Sequence, residues 1–122
     1  MADGISTANA NSALGTWTGS ADYISLATGP PGAAGTANPS SVTTREAVTW
    51  GSASGGEIAA SDEPEWTSWA GTNGEVATDI SLWSASTSGT FGFSMQLNSS
   101  VTMDTGDSLT LTSLQVSLPT AS

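Results

Sequence analysis

The stretch TFGFSMQL constrains this chain most. Phe91, Phe93, Met95 and Leu97 alternate with Gly92, Ser94 and Gln96. Period two over that length suits a strand with one face in a core and one toward water, and it does not suit a helix. All four apolar residues are expected on one face. Val101 and Met103 continue the pattern after Asn98-Ser99-Ser100, which reads as a turn or kink.

Other segments agree. In DYISLAT, Ile24 and Leu26 alternate with polar neighbours, and in VTTREAVTW Val42, Thr44, Val48 and Trp50 share one parity while Arg45 and Ala47 share the other. In SLTLTSLQVSL the parity slips: Leu109 and Leu111 are odd, whereas Leu114, Val116 and Leu118 are even. A slip of one residue turns every later side chain to the other face. A bulge or bend near Thr112-Ser113 is therefore expected if all five are buried, and Pro119 is expected to stop the last strand. Turn clusters separate these strands at 51–56, 70–74, 84–89 and 104–107. Six to eight short strands so spaced predict an all-β fold, an antiparallel β-sandwich of jelly-roll type. Ser and Thr make up about a third of the chain, which favours strands and turns over helix interiors.

Ahead of the strands, ISTANANSALG predicts a short helix or arm. Ser6 is its cap, Ile5, Ala8 and Leu14 share a face, and Gly15 is its end. The expected division is an arm or helix over 1–16 and a sandwich over 17–122, one domain in 122 residues.

The stretch GPPGAAGTA, residues 29–37, reads as three Gly-X-Y triplets. A triple helix needs that period over many repeats. Here it ends at Asn38-Pro39, with strands on both sides. Residues 29–41 are expected to form a long, exposed connection. That loop or the N-terminal segment is a candidate arm that orders on assembly.

Charge and residue type exclude much chemistry. There are eleven carboxylates, one Arg, no Lys and no His, for a net charge of −10. That balance argues against nucleic acid and against anionic membranes. No apolar run reaches spanning length. MADGISTANA has neither a basic stretch nor a hydrophobic one, unlike a signal peptide, and the Asn98-Ser99-Ser100 sequon is read as accidental. Without Cys, His or Lys the usual bases, nucleophile activators and zinc ligands are missing, so neither enzyme nor cofactor is expected. Asp62, Glu63 and Glu65 beside Trp66 and Trp69 are the only glycosidase-like pairing, and a charged loop ahead of a core tryptophan is the simpler reading. Asp104 and Asp107 in DTGD supply oxygen ligands of the kind calcium takes, but they read first as a hairpin turn.

Five tryptophans are many for this length. Exposed indoles serve as sugar platforms or contact hot spots. Trp50 and Trp83 are expected in the core or at a contact. Trp66 and Trp69, three apart, face opposite sides of an extended strand, so one of them is expected at the surface, covered by another subunit. Together with Arg45 these four form the candidate contact set.

Several stretches, in order, resemble a family of small virion proteins of tailed phages of actinobacteria, usually called minor tail or tail fibre proteins. They are MADGISTANANSALGTW, YISLATGPPGAAGTAN, TREAVTWGSASGGEIAASDEPEW and ISLWSASTSGTFGFSMQL. The most specific pieces are the Arg-x-x-Val-Thr-Trp strand and the Leu-Trp-Ser-Ala-x-x-x-Gly-Thr-Phe hairpin. Ala27 and Pro30 stand where members often carry His and Asp. The resemblance implies a structural virion protein that binds other virion proteins, tail or capsid, and brings no catalytic residues. A homo-oligomer, a trimer by the habit of fibres, is the expected state. A tail or fibre subunit leads; a capsid decoration protein and a module binding host glycan through exposed Trp are the alternatives.

Overall fold

The computed structural model describes residues 4–19 and 21–118. Helix α1 spans Thr7–Thr18. Ser6 caps it, its hydroxyl accepting from the Asn9 N–H at 3.2 Å. The buried line is Ala10, Leu14 and Thr18, spaced by four and so stacked on one face. Ile5 and Ala8 are exposed, which corrects the face expected for them: Ile5 precedes the cap and Ala8 lies off the 10–14–18 line. Gly15 does not end the helix, which runs to Thr18 and is capped by Gly19. The helix docks through Asn11, whose side-chain oxygen accepts from the Gly56 N–H at 2.9 Å.

Among the described residues eight strands follow: β1 (Tyr23–Ala27), β2 (Glu46–Ala47), β3 (Glu57–Ala59), β4 (Glu65–Trp66), β5 (Glu75–Trp83), β6 (Phe91–Met103), β7 (Leu109–Thr110) and β8 (Gln115–Ser117). The pairing is antiparallel throughout, so the fold is all-β and sandwich-like with one short helix. One layer is a four-stranded sheet in the order β2-β1-β5-β6. The other is an interrupted ribbon in which β3 pairs with β8 and β4 with β7. Between these short ladders the Ala60 N–H donates to Leu114 O and the Leu111 N–H to Pro64 O, both at 2.9 Å. Residues 49–51 flank the ribbon through the Trp50–Ala60 bridge.

Register decides which side chains meet between the layers, because directly paired residues share a face. Ile24 pairs with Leu82 and Leu26 with Ile80. Leu82 pairs with Phe93 and Ile80 with Met95. These rows face the ribbon, which supplies Trp66, Trp69, Leu109 and Leu114 to the same core. The parity slip in the C-terminal segment appears as expected, as a break between β7 and β8. The stop assigned to Pro119 lies outside the described residues.

The kink at Asn98-Ser99-Ser100 is a bulge within β6, not a turn: Ala77 pairs with Val101 but Asp79 with Gln96. A second bulge, at Gly92, corrects the single-face expectation. Leu82 pairs with Phe93, and the next residue, Trp83, pairs with Phe91. The extra residue turns Phe91 to the outer face, where its ring lies 5.4 Å from that of Trp83.

The 29–41 connection is less exposed than expected. It folds back over the outer face of the sheet, with Pro31, Gly35 and Ser40 buried. The Thr28 N–H donates to Asn38 O at 2.9 Å, and the Asn38 side chain donates to Pro30 O at 2.9 Å. Its far end is held by Glu75, which accepts from the Ser40 hydroxyl at 2.5 Å and the Ser41 N–H at 2.9 Å. Partial burial pushes the Glu75 carboxyl up, but the hydrogen bonds from Ser40 and Ser41 outweigh it and hold the group below its ordinary 4.5. A lowered carboxyl stabilises the fold above its unfolded pKa, and that contribution is lost as pH falls through the folded value. The Tm advantage of the native chain over Glu75→Gln is therefore expected to be full near neutrality and to be lost as pH falls from the ordinary carboxyl value of 4.5 through the lower folded one. Thermal melts of both chains across that range check it; a pH-independent gap would show that the carboxylate's charge is not what holds the loop.

Candidate contact surface

Four of the five tryptophans are anchored within the chain. Trp66 and Trp69 are 3% and 2% exposed, so neither is the surface residue expected of that pair. The parity argument fails at Ser68, whose φ of 52° breaks the extended run between them. The Trp66 indole N–H donates to Thr44 O at 3.0 Å and that of Trp69 to Thr72 O at 3.2 Å. Trp50 and Trp83 are half-buried. Trp50 donates to Ala21 O at 2.8 Å and lies 6.5 Å from the Phe93 ring.

Trp83 forms the outer-face cluster with Phe91 and Arg45. The guanidinium carbon of Arg45 sits 4.2 Å from the Trp83 ring centre, a cation–π geometry. The same side chain donates to Ala85 O at 2.9 Å and Ser88 O at 2.6 Å, and so fixes the turn after β5. The exposed indole is Trp17, at 45%. Sequence reasoning missed it; its place off the 10–14–18 line of α1 was the available signal.

The carboxylates do not assemble into a site. Asp62, Glu63 and Glu65 are all exposed, and Asp62 accepts from the Thr49 N–H at 3.0 Å. Asp104 and Asp107 close a turn: the Asp107 N–H donates to Asp104 O at 3.0 Å, and the Asp104 N–H to the Asp107 carboxylate at 2.9 Å. Among the described residues no three metal-ligating side chains cluster. No helix among them is long and apolar enough to cross a membrane.

The surface has two notable hollows. One is shallow and of mixed character, between α1 and residues 48–53, where Val48, Trp50 and Ile58 lie beside Asn11, Ser12 and Asp22. The other is a groove of about 240 Å³ between β6 and residues 109–115. Met95, Leu97, Val101 and Leu111 line it, and all four are only half-buried. It carries no charged residue and no catalytic constellation. Such a surface excludes water on contact with another apolar surface.

The family model described as podophage GP4 fiber I protein gp80 matches residues 5–119. The chain belongs to that family. It is thus a phage fibre-type protein with a structural role in the virion, as the sequence resemblance implied at this coarser level. A comparison with curated proteins finds no match. For a member of the fiber I family, the Trp and groove geometry is the relevant inventory: among the described residues it is apolar contact surface.

Proposed function

We propose that this chain is a tail-fibre subunit of a tailed-phage virion, acting by protein–protein contact with copies of itself, as a homotrimer, and with neighbouring virion proteins. The family match over residues 5–119 carries the reading. The apolar, uncharged groove beside β6 supports it, because such a surface fits a subunit of an assembly. Host-glycan recognition through Trp66 or Trp69 forms no part of the proposal, since both rings lie in the core.

The test is the copy number of the chain in purified particles, by quantitative mass spectrometry against the major capsid protein. A tail fibre is expected at tens of copies or fewer. Hundreds of copies would move the chain to the capsid lattice as a decoration protein. Absence from the particle would overturn the virion role itself.

A further inference from the structure

Both layers of the sandwich end on the same side. Among the described residues β6 is the last strand of its sheet, paired only with β5. The segment 109–117 is likewise paired only on the side of β3 and β4. The apolar groove runs between these two edges, which no other described strand pairs. Edge strands normally carry Lys, Pro or inward charges that block pairing with other chains. Here residues 84–103 and 108–118 contain no charged residue and no Pro. The protective devices are the two bulges, at Gly92 and around Leu97–Ser100, which leave Phe93–Gln96 as a regular edge.

The distribution of charge says what covers this side. With a net charge of −10, copies of the chain repel one another wherever carboxylates meet. A basic partner would be drawn to the carboxylates, and none lines the groove: Glu57 and Glu65 sit on β3 and β4, behind Gln115 and Thr110. A neutral apolar side is what a second copy of the same acidic chain can approach at least cost.

We propose that the open side formed by β6 and residues 109–115 is the self-association surface, and that its occupant is a second copy of this chain. This rests on the fibre-subunit reading. The regular part of β6 offers its backbone edge to the neighbour, and Met95, Leu97, Val101 and Leu111 are covered in the contact.

The test uses the full chain in sedimentation equilibrium at low and high salt. The native chain is expected at a multiple of its single-chain mass, with tighter association at high salt as the carboxylates are screened. Gln96 and Thr112 are exposed at the groove. The double variant Gln96→Asp/Thr112→Asp is expected to sediment as a single chain with an unchanged circular dichroism spectrum. Its apparent Kd should rise by about a hundredfold or more. Ser52→Asp, in the other hollow, should leave the assembly intact. Where the double variant loses its strand signal, single cysteines decide. The chain has no Cys, so Gln96→Cys, Ser99→Cys and Thr112→Cys each carry one thiol. Oxidised multimers from these variants support the surface; their absence from all three overturns it. A folded double variant that keeps the native mass overturns it too. So does a native chain that is monomeric at high salt, which would assign the open side to a different virion protein. Particles lacking the chain would remove the fibre reading while leaving the measured self-association standing. A monomeric chain found in particles would do the reverse.

Discussion

Trp66→Ala is expected to cost about 3–5 kcal/mol of folding stability. The ring is 3% exposed and packs among the residues that join the two layers. Truncation leaves a cavity that β4, two residues long and paired only with β7, has little means to close. It also leaves Thr44 O without the indole donor that now sits at 3.0 Å. Domains of this size have about 5–15 kcal/mol of total stability, so the variant should be largely unfolded well below the native melting temperature. Trp17→Ala is the control. That ring is 45% exposed, and its loss should change stability by less than about 0.5 kcal/mol. Urea melts of both variants measure the difference. Equal, small effects would mean that Trp66 is not part of the core.

The element types were legible in the sequence because period two survives in most strands. The alternation in β1 and β6, the cap at Ser6 and the parity slip after Leu111 all have counterparts in the structure. The errors within the strands and around Trp66 and Trp69 share one cause. Parity counting assumes an unbroken extended chain, and three local features break it. Ser68 adopts a left-handed φ and sends Trp66 and Trp69 into the same core. Gly92 inserts a bulge and turns Phe91 away from Phe93. The 97–100 bulge keeps Asn98-Ser99-Ser100 within β6. A lone glycine inside a strand pattern is itself a bulge signal, so Gly92 was readable. Ser68 was not, since Ser carries no marked preference for positive φ. The open side of the sandwich was half legible. Its missing charges are plain in the sequence, but the adjacency of β6 and residues 109–115 follows only from the pairing of β7 and β8 with distant strands.

Gly35→Ala is expected to cost about 2–5 kcal/mol, for two separable reasons. The first is backbone conformation. Gly35 has φ +76°, and an L-residue held there costs roughly 1–2 kcal/mol. The second is space. An added Cβ would overlap the Phe91 ring, and forcing extra volume into a packed contact costs about 1–3 kcal/mol. The two can be told apart. Gly55 has a similar φ of +63° and nothing within 4 Å of an added Cβ, so Gly55→Ala should show only the backbone part. In a Phe91→Ala background the steric part at Gly35 should vanish, leaving about 1–2 kcal/mol. The resulting coupling, measured by a double-mutant cycle on chemical melts, reports directly that the 29–41 loop is seated on the outer face of the sheet. An additive cycle would mean that Gly35 and Phe91 do not touch and that the loop stands away from the sheet. A coupled one ties the loop to the bulge at Gly92, because only that extra residue brings Phe91 round to meet it.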